Sequence, residues 1–419
     1  MCGIVGYSNK LINSESIQRI FKNTLNKLNH RGPDSQDYFS DKKNNFICGM
    51  TRLSILDHEY GYQPFYSDDK RFALVFNGEI VNFKSLRSYL EEKKKIKFKS
   101  KNSDTEVLLQ LLINDGLDCL QSLNGMFAFC LYDFKKNKAI LARDRFGIKP
   151  LYYFLEKNLF GFSSEVKNLV SFYPNEIKIN KQSLSDYLSL MYIPSPNTIF
   201  ENINRLSAGE ILEIDLNNSS YKKKKWFEPN FRPDNKISAE DVIENIKNIS
   251  KKAINEWSLS DVPISNSLSG GIDSSTISYL AKNQKINITN FTLGFKDKID
   301  GNFDEIELAK NISESFNQNH EVFKISGNDF LSQLDNILED IHEPYGGGLP
   351  SWMVYKNISK NFKVTFNGIG VDEFFGNYSK WKNMKSFWSK EINYEKFCKN
   401  FFNERYYATN FEKKKNIKF

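Results

Sequence analysis

The chain has 419 residues, of which 40% are hydrophobic and 26% charged, and a formal net charge of +7. That is the composition of a globular protein with room for two or three cores. Its lysine runs at 93–95, 222–225 and 413–415 are accompanied by no zinc-finger spacing, RNP-like segment or basic-aromatic stripe, so no nucleic-acid partner is expected. No apolar run approaches the ~20 residues of a membrane span, and no signal-peptide plan opens the chain, so no membrane is expected either. The five cysteines (Cys2, Cys48, Cys119, Cys130, Cys398) are scattered and form no CxxC pair. This argues against a disulfide framework and a zinc site, and the expected compartment is the cytoplasm. His320 and His342 stand in no metal-like spacing and read as ordinary polar residues.

In chain order the first feature is Met1-Cys2-Gly3-Ile4-Val5-Gly6. Removal of the initiator methionine would leave Cys2 at the terminus. A terminal cysteine carries its own base, because an α-amino group with a reference pKa near ~8 can shuttle the thiol proton. Helices are expected over 17–28, 83–90 and 105–114, the last capped by Ser103-Asp104. A strand over 72–76 reads as stopped by Asn77-Gly78, and 126–132 with 138–143 form a hairpin. The polar stretch 217–235, with its lysines, Pro229 and Pro233, reads as a connection between domains. Beyond it come a helix over 239–254, an apolar segment ending in Leu268-Ser269-Gly270-Gly271, and a helix from Ser274. A strand over 287–295, a helix over 305–316 and a strand over 364–366 follow. Strand and helix alternate in this second half, which implies a parallel sheet with crossovers.

Short motifs in the first half belong together chemically. They are His30-Arg31-Gly32-Pro33-Asp34, Arg52-Leu53-Ser54-Ile55, Asn77-Gly78-Glu79, Ser103-Asp104-Thr105-Glu106 and Ala142-Arg143-Asp144-Arg145-Phe146-Gly147. Hydrolysing an amide through a thioester needs a nucleophile, donors for the oxyanion and groups that hold the substrate's far end. For glutamine that far end is a zwitterion, for which Arg52 and Asp104 are charge-complementary. Over residues 2 to about 165 these motifs, with GMFAF and ARDRFGIKPLYY, resemble the class II (N-terminal-nucleophile) glutamine amidotransferase domain. The resemblance implies Cys2 as nucleophile and Asn77 and Gly78 as oxyanion hole. It implies Arg52, Leu53, Ile55, Asn77, Gly78, Glu79 and Asp104 as the glutamine-binding set. Met50 stands where that family often has His.

Leu268-Ser269-Gly270-Gly271-Ile272-Asp273-Ser274-Ser275 lies between an apolar strand and a helix. Paired glycines let backbone approach an anion, the helix N-terminus offers free N–H groups, and Asp273 can hold Mg2+. The spacing is not that of the Walker loop. It resembles the PP-loop of ATP pyrophosphatases. Phe291-Thr292-Leu293-Gly294-Phe295, Phe303-Asp304-Glu305, Glu343-Pro344 and the loop Asn367-Gly368-Ile369-Gly370-Val371-Asp372-Glu373-Phe374-Phe375-Gly376-Asn377-Tyr378 resemble further parts of that family. An amidotransferase domain followed by a PP-loop domain is the arrangement of the glutamine-hydrolysing asparagine synthetase family.

The resemblance implies an αββα N-terminal-nucleophile sandwich over 2–215, a linker over 216–236 and a parallel-sheet α/β PP-loop domain over 237–419, incomplete at its C-terminus. It implies ATP held by Leu268, Ser269, Gly270, Gly271, Asp273, Ser274, Ser275, Leu293, Asn367 and Gly368, and Mg2+ held by Asp273 and Asp372. Glutamine, aspartate and ATP are the implied small-molecule partners. Ammonia from glutamine would pass through an interdomain tunnel to an adenylylated aspartate. The oligomeric state is open, with a homodimer among the readings.

Ile369 stands where the family carries a polar or acidic residue, and Val371 replaces a small one. The family's later Lys-x-Asp-Arg and Glu-x-Arg-x-Pro-Phe stretches are not found, so the chain is expected to be a fragment or its synthetase half incomplete. Two alternatives remain open at this level. One is an amidotransferase for another carboxylate, such as a surface-polysaccharide sugar acid, selected by the loops after Leu268 and around Tyr345-Gly346-Gly347-Gly348. The other is a protein that keeps only glutaminase activity, or only binds.

Overall fold

The computed structural model describes residues 1–11, 14–234, 236–296, 305–346, 348–376, 393 and 395. The expected features at Phe303-Asp304, Gly347 and Asn377-Tyr378 lie outside the described residues, as do Cys398 and the tail 412–419. The chain divides into two units, Met1–Ile179 with Ser195–Val242, and Asn180–Pro194 with Ile243–Phe419.

The first unit is built from antiparallel strands. In chain order they are β1 (Gly3–Asn9), β2 (Ser35–Asp41), β3 (Phe46–Arg52), β4 (Phe65–Tyr66), β5 (Phe72–Ile80), β6 (Gly125–Asp133), β7 (Lys138–Arg143), β8 (Tyr152–Glu156), β9 (Leu159–Ser163), β10 (Asn204–Arg205), β11 (Glu210–Asp215) and β12 (Ser220–Lys225). They form two six-stranded sheets, in the orders β10-β8-β9-β1-β3-β2 and β12-β11-β7-β6-β5-β4. Ile4, Phe46, Cys48 and Met50 of the first sheet meet Ala73, Val75, Ala128, Cys130, Tyr132 and Leu141 of the second in one buried cluster. At about 1.5–3 kcal/mol for each large side chain removed from water, this inter-sheet layer is what fastens the sheets together.

Alternation sends the remaining side chains outward, where helices cover them. On the first sheet Val5, Tyr7, Ile47 and Phe154 pack against Phe21, Leu25 and Leu28, carried by and just beyond the helix Glu15–Asn26. On the second, the helices Phe83–Lys94 and Asp104–Asn114 pack together, and the latter lies on β5. The result is the expected αββα sandwich.

Two local expectations are corrected. The strand over 72–76 does not stop at Asn77-Gly78 but runs on to Ile80. An Asn-Gly pair commonly makes a turn, yet Gly78 lies opposite Phe127 with β6 so close that a Cβ would meet the Met126 carbonyl oxygen at 2.3 Å. The glycine here serves close strand approach. The connection placed over 216–236 opens with strand instead: β12 pairs along β11 from Ser220 to Lys225. A lysine-rich strand reads as a linker because it is exposed on both faces, as suits a sheet edge.

The second unit carries a four-stranded parallel sheet of β13 (Ile264–Ser267), β14 (Ile288–Phe295), β15 (Asn319–Ile325) and β16 (Val364–Phe366), in the order β15-β14-β13-β16. Helices Ile272–Asn283 and Ile306–Ser315 make the first two crossovers. The order reverses at β13, so the loops after β13 and β16 emerge side by side at the C-terminal edge, the crevice where open parallel sheets bind ligands. Among the described residues no helix is long and apolar enough to cross a membrane.

Candidate active site

The period of two sets the geometry of the first unit. On β5 it puts Ala73, Val75, Asn77 and Glu79 on one face, the face that looks at the other sheet. Cys2 packs against the same inter-sheet cluster from the start of β1. Gly3 is registered with Thr51, so Cys2 enters beside Arg52 at the end of β3. Cys2, Arg52, Asn77 and Glu79 thus come to one end of the inter-sheet layer.

The Cys2 sulfur accepts the Leu53 N–H at 3.4 Å. The next residue of that loop, Ser54, donates its N–H to Asp34 at 2.7 Å. Leu53 therefore contributes backbone, in a loop that Asp34 of the Arg-Gly-Pro-Asp motif holds in place, while Ile55 lies half-buried beyond it. Burial pushes the Met1 terminal amine down to about 5, with Lys149 and Arg31 adding to the effect.

Arg52 is 5% exposed. Its Nη2 donates to the carbonyls of Leu56 (3.0 Å) and Asp57 (2.7 Å). Asn77 is fully buried, and neither its Nδ2 nor its Oδ1 has a hydrogen-bond partner. Glu79 also keeps Oε1 buried and unpartnered; burial, reinforced by Asp104, pushes its carboxyl up to about 8. Asp104 opens the helix Asp104–Asn114 and accepts the Ile80 N–H at 3.0 Å. Burial raises it to about 6, opposed by hydrogen bonds and by the Arg52 cation. Buried polar atoms are almost always paired, so the orphaned Asn77 amide and Glu79 oxygen, with the Asp104 carboxyl near them, have the chemistry of a ligand site: an amide donor for an oxygen and two carboxyls for an ammonium.

Sequence reading passed over two cations here. Arg31 donates Nε to the Cys2 carbonyl at 3.1 Å and Nη1 to Glu165 at 3.1 Å. Lys149 is 4% exposed and lies within electrostatic reach of Arg31, Cys2, Glu79 and Asp144. Both stand inside motifs that had been picked out, but a charged residue in a turn reads as surface.

In the second unit Leu268 is buried and donates its N–H to Phe291. Gly270 turns the chain at φ +79°, a conformation that favours glycine. Gly271 then caps the helix Ile272–Asn283, which starts two residues before the expected Ser274. Ser269 accepts the Gly271 N–H at 3.2 Å and meets Ser274 Oγ at 3.1 Å, and Ser275 donates to the Gly271 carbonyl at 2.7 Å. The loop after β16 comes against this turn, so that a Cβ on Gly368 would lie 2.8 Å from that of Asp273. Burial, and then the Asp372 carboxylate, raises the Asp273 carboxyl. The two carboxylates lie within electrostatic reach of each other, and oxygen donors of this kind are the ones Mg2+ takes. Asn367 accepts the Ile369 N–H at 3.1 Å, and the Ile369 side chain is 74% exposed. Leu293 is drawn into a cluster with Ile325, Ile337 and Met353.

The fold defines a two-domain class, an N-terminal-nucleophile sandwich and a PP-loop α/β unit on one chain. Residues 1–227 match the glutamine amidotransferase domain family, and residues 246–417 the asparagine synthase family. The chain is 34% identical over 387 residues to asparagine synthetase [glutamine-hydrolyzing] 1 of Bacillus subtilis, an alignment covering 90% of this chain and 59% of that protein. It is 34% identical over 407 residues to putative asparagine synthetase [glutamine-hydrolyzing] 2 of Methanocaldococcus jannaschii, covering 90% and 76%. The chain therefore spans well under two thirds of the Bacillus relative's length. It belongs to the glutamine-hydrolysing asparagine synthetase family.

Proposed function

We propose that the protein makes asparagine from aspartate, ATP and glutamine. The observation that carries this reading is the joining, on one chain, of the orphaned Asn77 amide beside Cys2 with a PP-loop at the switch point of a parallel sheet.

With Met1 removed, the Cys2 α-amine takes the thiol proton and the sulfur attacks the side-chain amide carbon of glutamine. The new oxyanion is received by Asn77 Nδ2 and the Gly78 N–H. Glu79 and Asp104 take the substrate ammonium, and Arg52, through its remaining N–H groups, the α-carboxylate. The C–N bond breaks as the proton passes to the leaving nitrogen, and ammonia departs. Water then hydrolyses the thioester to glutamate and restores the thiol.

In the second unit the aspartate side-chain carboxylate attacks the α-phosphorus of ATP. Pyrophosphate leaves into the cradle of Ser269, Gly270, Gly271, Ser274 and Ser275 at the helix N-terminus. Asp273 and Asp372 would hold Mg2+, which supplies charge neutralisation on the phosphates. Ammonia displaces AMP from the mixed anhydride and yields asparagine. Leu268, Leu293, Asn367 and Gly368 complete the proposed nucleotide set. The buried thiols of Cys48, Cys119 and Cys130 are free, in keeping with a reducing cytoplasm.

The test is ATP–pyrophosphate exchange with a panel of carboxylic acids. Exchange driven by aspartate is expected. Exchange driven by a sugar acid would move the protein to another acceptor, and none with any acid would leave a glutaminase. The exposed Ile369, where an acid/base residue was expected, is the observation that favours this last outcome.

A further inference from the structure

We propose that Lys149 is the counter-cation of the glutaminase site, the fixed positive charge against which the Cys2 sulfur becomes negative; the inference rests on the glutaminase reading above. It explains a motif that the proposed chemistry otherwise leaves without a task. In Ala142-Arg143-Asp144-Arg145-Phe146-Gly147-Ile148-Lys149 every fixed contact serves to hold the loop. Asp144, 1% exposed, accepts the N–H groups of Phe127 (3.1 Å), Phe146 (3.1 Å), Ile148 (2.9 Å) and Lys149 (3.0 Å). Arg143 donates to the carbonyls of Lys149 (2.7 Å), Leu206 (2.6 Å) and Gly147 (2.5 Å). Lys149 is thus pinned through both its backbone groups, and its side chain is sent inward.

There the ammonium meets no partner. Among the described residues it makes no hydrogen bond and no ion pair, although it is 4% exposed. A lysine this enclosed, with no ion pair, keeps its charge uncompensated in the resting site. That makes sense where the compensating charge appears only during reaction.

Five groups lie within electrostatic reach of Lys149. They are Cys2 and the terminal amine at the start of β1, Arg31 from the turn before β2, Glu79 from β5 and Asp144 from its own loop. Burial, reinforced by Arg31, lowers the Lys149 ammonium to about 8, so at neutral pH it is still mostly charged. Of the facing groups, only the thiol gains negative charge in the reaction.

The test compares wild type with Lys149→Met, Lys149→Arg and Cys2→Ala in the full chain. It follows the rate of iodoacetamide alkylation of Cys2 from about pH 5 to about pH 9, with glutamine hydrolysis and the melting temperature beside it. The expected result is that Lys149→Met alkylates about tenfold more slowly near neutral pH, while Lys149→Arg restores most of the rate. An unchanged alkylation profile in Lys149→Met overturns the proposal. Equal losses in Met and Arg variants with a fallen melting temperature also overturn it, because they assign the residue to folding alone. Hydrolysis that survives in Cys2→Ala removes the glutaminase reading and this inference together. If Cys2→Ala is inactive and Lys149→Met behaves as wild type, only the inference falls.

Discussion

Asn77 has an amide that is fully enclosed and bonded to nothing, so its contribution to folding and its contribution to chemistry separate cleanly. Asn77→Ala should lower kcat for glutamine hydrolysis by about 10²–10³, the usual effect of deleting one oxyanion donor. Because no hydrogen bond is lost, the melting temperature should hold or rise. A drop in stability without a drop in turnover would reverse the assignment. Glu79 makes a prediction in pH. Its carboxyl titrates near 8 in the folded protein rather than at an ordinary 4.5, chiefly through burial. Between those values the native state holds a proton that the unfolded chain has released. The stability tied to this residue is therefore whole below about 4.5 and declines as pH climbs toward about 8. Glu79→Gln should cancel that decline, so that its melting-temperature advantage over wild type widens across the window and then levels off. A constant difference would contradict it.

At the scale of elements, the proposed nucleotide loop depends on Gly270 at φ +79°. Gly270→Ala should strain the turn by about 1 kcal/mol and weaken ATP binding in calorimetry, with glutamine hydrolysis unchanged. Asp273→Asn should weaken Mg2+-dependent ATP binding and leave Mg2+-free nucleotide binding nearly unaffected; equal affinities in wild type and variant would exclude a metal there. These elements were legible because each carries a local physical signature. Paired glycines between strand and helix mark the turn after β13, and unbroken apolar runs mark β5 and β6. What was missed is what lacks such a signature. Asn77-Gly78 has the composition of a turn, and only the approach of β6 shows that the glycine makes room for a neighbour. The lysines of β12 hide a strand because an edge has no buried face to alternate with. Lys149 looks like surface because nothing local reveals that Asp144 and Arg143 curl the loop around and point it inward.

The whole molecule joins two folding units with one proposed chemistry each, and single substitutions should uncouple them. Cys2→Ala should abolish glutamine hydrolysis yet retain ATP–pyrophosphate exchange, and Asp273→Asn should do the reverse. Loss of both activities in either variant would count against separate sites. Intact-mass analysis that finds Met1 retained would remove the terminal nucleophile altogether. The last turn of the first unit has a practical bearing on such dissection. Trp226 is 7% exposed, stacks on Phe127 at 5.9 Å and donates its indole N–H to the Arg143 carbonyl at 3.0 Å. Anyone excising the amidotransferase-family half at Asp215 would unzip its outermost ribbon and pull the bolt from the very hairpin that presents Lys149, whereas a cut beyond Phe227 leaves that bolt in place.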